Sequence, residues 1–192
     1  MGIFDKLRGA AGSAVNSAVN SAVNSVGNKT ETFTFAKLPE SVQELQAMPE
    51  ASLDSPFKTA ALALCALCAY GADKNTGIEM LNFLKGPRPL SPMEIQFLDD
   101  RFRGNQWYVP FSYFKGATPE NNYTPTEPFT VEIKSNPYSA SNEGYMTLWL
   151  SSGGADSPRQ ITLRKKGDGR WFLWEQYIMV GIRTPKAQDP WA

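Results

Sequence analysis

At 192 residues, with 42% hydrophobic and 12% aromatic content, the chain is long enough for one sizeable core, and one domain plus an appendage is expected. Nineteen basic residues balance nineteen acidic ones and histidine is absent, which argues against a nucleic-acid binder and removes the usual proton shuttle and the commonest metal ligand. Cys65 and Cys68 have no distant partner to staple, and no stretch approaches the ~20 apolar residues of a membrane span, so a cytoplasmic protein without structural disulfides is expected.

Residues 1–28 stand apart. After Met1-Gly-Ile-Phe-Asp-Lys-Leu-Arg8 comes a Gly/Ala patch and a Ser-Ala-Val-Asn repeat, rich in mediocre helix formers and interrupted by glycine. Ile3, Phe4 and Leu7, with Lys6 and Arg8 beside them, make the first turns amphipathic, the pattern of a helix that lies on a membrane or a partner protein. A tail of this composition also suits a loosely docked or unstructured segment.

Thr30-Glu-Thr-Phe-Thr-Phe35 alternates polar and aromatic residues and predicts a half-buried strand that opens the globular domain, 29–192. Ser41-x-x-Glu44, Thr76-x-x-Glu79 and Ser91-x-x-Glu94 fit the capping box. With Pro56 and Pro92 as first-turn residues and Gly71 and Gly86 just past helix ends, they predict helices near 40–48, 56–70, 76–85 and 92–103. From Phe57 to Tyr70 only Lys58 and Thr59 are polar, so the second is the core helix.

After Gly104 the period changes. Residues 107–114, 129–134 and 145–150 read as strands, the first demoted to an edge or bulge by Pro110. Two further runs flank Gly167-Asp-Gly169, a hairpin signal, and the second (from Trp171) carries large apolar groups on both faces, which predicts a central strand. Helices first and an antiparallel meander second is an α+β pattern, with helices on one face of a curved sheet. The order is similar to that of the NTF2-like cone.

Few residues point to chemistry. Cys65 and Cys68 lie mid-helix among apolar neighbours and read as buried thiols. Gly153, Gly154 and Arg159, in the loop Ser151–Arg159, form a candidate anion nest, although the spacing matches no nucleotide-binding fingerprint and no cofactor is expected. Glu175 shares a predicted strand face with aromatics, where a raised pKa would suit proton transfer or ligand binding; alternatively it pairs with Arg164 or Arg183. Tyr113, Trp149 and Trp174 are either cavity lining around Glu175 or core.

Several phrases together, Met80–Leu90, Gly116–Pro125, Ser152–Arg159, Trp171–Glu175 and Asp189–Ala192, resemble a family of uncharacterised bacterial proteins, mainly of Firmicutes, classed as a domain of unknown function. The resemblance covers about residues 30–192 and implies no activity, ligand or site residue. Met1-Gly-Ile-Phe4 is similar to the start of the phage-shock-protein A membrane-remodelling family, whose long coiled-coil helices are missing here. Three functions remain open: a non-enzymatic binding domain with a tail that docks on a membrane or protein partner, an NTF2-like pocket protein that binds or converts a small molecule, and a structural subunit that forms homo-oligomers.

Overall fold

The computed structural model describes residues 27–191, so Ile3, Phe4 and Leu7 lie outside the described residues. The Thr-Phe alternation does form a strand, β1 (Thr30–Phe35), with Phe33 and Phe35 buried. The helical half follows: α1 (Val42–Ala47), α2 (Pro56–Ala72), α3 (Lys74–Lys85), α4 (Pro92–Phe102) and the single turn α5 (Tyr108–Phe111). Four strands complete the chain: β2 (Phe129–Lys134), β3 (Tyr145–Leu150), β4 (Arg159–Lys165) and β5 (Trp171–Gln176).

The caps explain where the helices begin. Ser91 and Glu94 make the full capping box: the Ser91 hydroxyl accepts the Glu94 amide, and the Glu94 carboxylate accepts the Ser91 amide. Ser41 accepts the Glu44 amide, but Glu44 itself accepts from the Glu40 amide, so that box is half made. Thr76 caps nothing. Asp73 takes the position instead, accepting the Thr76 amide at 2.8 Å while its own amide closes α2, and α3 therefore starts at Lys74. Gly71 consequently stays inside α2, where it admits the Phe102 ring.

The strand expected over 107–114 is not formed. Its first half turns as α5, with Pro110 inside the turn, and Lys115 beyond it donates its amide to the Thr130 carbonyl on β2 at 2.8 Å. The sheet is antiparallel, in the order β1-β2-β3-β4-β5, and is not closed. The α+β architecture is thus as the period change implies, while β5 is an edge strand and not a central one.

Two features make an edge strand look central in the sequence. Pairing runs Thr162 with Glu175, then Leu163 with Leu173, so Trp174 has no residue opposite it and forms a β-bulge. Just before the bulge, Phe172 and Leu173, in register with Arg164 and Leu163 and on opposite faces, are both buried. The outer edge of β5 is also sealed from the helical side: the Leu53 carbonyl accepts the Trp171 amide at 2.8 Å, and the buried Thr59 hydroxyl donates to the Trp171 carbonyl at 2.8 Å. Apolar groups on both sides of β5 therefore reflect packing against helices rather than against two strands.

The core lies between the sheet and α2, which is buried over nearly its whole length and packs against β2, β3, β4 and β5. Cys65 and Cys68 are free and fully enclosed there, and burial pushes both thiols up. Among the described residues, no helix is long and apolar enough to cross a membrane.

Candidate functional site: a cleft beside the bulged edge strand

The seam between β5 and the α3–α4 connection is built from three local devices. Helix α3 ends at Gly86, whose φ of +59° suits glycine, and a Cβ there would run into the Phe172 ring. The loop that follows is pinned by the Asn82 side chain, whose carbonyl oxygen accepts the Leu90 amide at 2.8 Å. Arg88, at the crest of this loop, is thereby held over the Trp174 ring, 4.5 Å from its centroid.

The bulge brings Trp174 to Arg88. From β4, Arg164 lies 4.7 Å from the Trp174 centroid and 5.3 Å from that of Tyr145, whose ring meets the indole edge to face at 5.6 Å. Neither guanidinium forms an ion pair with a carboxylate among the described residues. Two cations stacked on one indole with no carboxylate in ion-pair contact repel each other and attract an anion, although the exposed Glu175 carboxylate borders the same cleft.

Two clefts meet at this point. One, of about 370 Å³, is mostly apolar and runs between α4 and β5, past Leu81, Met93, Phe97, Leu98 and Tyr177. The other, of about 350 Å³, is basic, with Arg164, Lys165 and Lys166 along it. Lys85, Arg88, Leu173 and Trp174 line both. Each volume falls in the ~300–1,000 Å³ range of ligand sites.

The floor is a fixed ion pair. Lys85, 3% exposed at its side chain, donates to Glu94 at 2.6 Å and to the Trp174 carbonyl at 3.4 Å. Burial pushes the Glu94 carboxyl up, but hydrogen bonds from Lys85 and from the Ser91 amide and hydroxyl outweigh it and hold its pKa down to about 2. Lys85 is therefore already neutralised. Arg88 and Arg164, with Lys165 further along the basic cleft, supply the charge that has no ion-pair partner among the described residues.

The four expected cavity residues do not converge. Tyr113 is in the core, its hydroxyl donated to the Ile178 carbonyl at 2.6 Å. Trp149, between buried Leu148 and Leu150, points to the sheet face away from the helices. Trp174 and Glu175 do lie together at the clefts, but Glu175 is exposed, and its one hydrogen bond among the described residues is a 3.4 Å contact from the Tyr177 hydroxyl. It pairs with neither suggested arginine: Arg183 binds Asp156 at 2.6 Å, and Arg164 is on the aromatic rings.

The polar groups of the glycine loop are already bonded within the protein. The Gly153 amide donates to the Ser112 carbonyl and the Gly154 amide to the Ser152 hydroxyl. Arg159 spends its guanidinium on the carbonyls of Ser157, Val180 and Gly181. At the hairpin tip, Asp168 gathers Lys166 and Arg170 in turn, and the Arg170 hydrogen bonds hold its carboxyl well below the usual carboxylate range. Among the described residues, no group of three or more Cys, Asp or Glu side chains stands together to hold a metal.

Arg88 carries no signal in the sequence as a site residue. It sits in a Pro-rich connection, and only the fold brings it to Trp174, far along the chain.

The model of a family described as "Domain of unknown function (DUF6935)" matches residues 37–186. No curated protein and no solved structure matches the chain.

Proposed function

The chain belongs to this family of unknown function, so membership brings no activity with it, and we propose from the cleft itself that it is a non-catalytic interaction domain that binds an acidic segment of a protein through one large apolar side chain. One observation carries this: Arg88 and Arg164, without a carboxylate partner among the described residues, flank Trp174 where an apolar cleft opens into a basic one. An apolar ring placed between α4 and β5 gains burial, and a carboxylate beside it gains charge-assisted, bidentate hydrogen bonds to a guanidinium. The chemistry favours an acidic peptide over nucleic acid because the apolar cleft asks for a side chain as well as an anion.

The test is fluorescence anisotropy of a labelled peptide, Gly-Asp-Asp-Trp-Asp-Gly, against the full chain. Binding is expected to weaken at least tenfold in Arg88→Glu/Arg164→Glu and with the peptide's Asp residues changed to Asn. Absence of binding, or binding indifferent to both changes, overturns the proposal.

For residues 1–28 the support is the sequence pattern alone: Ile3, Phe4 and Leu7 beside Lys6 and Arg8 suit docking of this tail at an anionic membrane surface, which would make a cytoplasmic protein peripheral. Co-sedimentation with anionic liposomes, retained by the full chain and lost when it starts at Asn28, is the expected result; equal sedimentation of both removes the tail from that role.

A further inference from the structure

Five large apolar side chains are exposed among the described residues: Met93, Trp107, Tyr138, Tyr177 and Trp191. Met93 and Tyr177 line the apolar cleft, so that face lacks a cover. Trp191 is the most exposed of the five, at 93%. Its amide donates to the Asp189 side chain at 2.9 Å, which holds an indole and a carboxylate together in one short turn. That carboxylate forms no ion pair among the described residues.

The turn is anchored where it leaves the body. The short 3-10 helix Lys186–Gln188 lies against another, Pro119–Asn121, and the Ala187 amide donates to the Asn122 side chain. Asp189 and Pro190 border a hollow with Pro119 and Arg183, and none of its lining residues is shared with either cleft beside β5. The chain thus shows an exposed indole knob with one unpaired carboxylate beside it at one place and, at another, an apolar cleft with two arginines that have no ion-pair partner among the described residues.

We infer that the cleft of one copy takes Trp191 of a second copy, with Asp189 set against Arg88 and Arg164, so that the chain associates head to tail. This rests on the proposed cleft and names its occupant. Because knob and cleft are different surfaces, the contact is heterologous, and successive copies add until the array closes into a ring or grows open-ended. One indole and one carboxylate make a contact far smaller than the ~1,200–2,000 Å² of a stable interface, so assembly depends on concentration.

Sedimentation velocity of the full chain from micromolar to millimolar protein tests it. The sedimentation coefficient is expected to rise with concentration for the parent chain and to stay monomeric for Trp191→Ala and for Arg88→Glu/Arg164→Glu, each checked as folded by circular dichroism. Mixing those two variants leaves one intact cleft and one intact knob, and is expected to give a one-to-one dimer that grows no further. A parent chain that stays monomeric throughout, a Trp191→Ala chain that still associates, or a mixture that remains monomeric overturns the inference. The labelled Asp/Trp peptide is then titrated into Trp191→Ala: if it binds without self-association of the parent, the cleft stands and its occupant is another protein; if it does not bind, both fall.

Discussion

Lys85 shows how the site is built from a cost. An ammonium 3% exposed is tolerable only with a close partner, and Glu94, about a third exposed, supplies it. Glu94→Gln leaves that charge buried with little more than a distant carbonyl, and a loss of roughly 2–3 kcal/mol is expected, below the ~3–5 kcal/mol of a fully buried pair because water reaches Glu94. Urea unfolding at neutral pH measures it. The pair also sets an acid limit. Glu94 has its pKa lowered from 4.5 to about 2 in the folded chain, so its contribution is whole above pH 4.5 and is lost as the pH falls through 2. Stability measured across that window is expected to fall more steeply in the parent than in Glu94→Gln. Glu175 gives an opposite test at the same site. It is an exposed carboxylate at a cleft proposed to receive carboxylates, so Glu175→Gln is expected to bind the acidic peptide a few-fold more tightly, by relief of like-charge repulsion. Abolished binding would mean that Glu175 is itself a ligand contact.

The junction of α2 and α3 is closed by one hydrogen-bonding residue and one missing side chain. Asp73 ends the first helix and caps the second, and the turn brings Gly77 against the backbone of Tyr70, where a Cβ would run into main-chain atoms. Helix propensity alone says that Gly77→Ala stabilises by ~0.8–1 kcal/mol. The backbone clash reverses the sign, and a net loss of roughly 1–3 kcal/mol is expected on denaturant unfolding, since rigid main chain cannot yield as a side-chain end does. The helical half was legible beforehand only in part. The Ser91–Glu94 box and the apolar run of α2 announce themselves locally, because capping and burial periodicity act within a few residues. Thr76 misleads because Asp73 is the better cap three residues earlier. The segment around Pro110 has strand composition, but turns as α5 and meets β2 only afterwards, a choice made by tertiary contact. The site divides the same way: Trp174 is visible in the sequence, whereas the bulge that aims it and the loop that delivers Arg88 come from elements distant along the chain.

Across the whole molecule, the matched family region begins at residue 37, yet the sheet begins at Thr30. β1 pairs with β2 along its full length and gives Phe33 and Phe35 to the core. A chain started at Lys37 is therefore expected to lose cooperative thermal unfolding and to aggregate through the bared edge of β2, which size-exclusion chromatography and calorimetry would show; full retention of both would mean that β1 is dispensable. The same pairing constrains the order of events during synthesis. β1 leaves the ribosome before its partner β2, which follows only after the entire helical half has been made. Through that interval α2, apolar on nearly every side, has no sheet to lie on, and β5, which shields one of its flanks, is made only after β2, β3 and β4. The nascent chain thus carries its least soluble helix uncovered until the strands beyond residue 129 have been made, and chaperones that hold unfinished polypeptides are expected to bind it during that interval.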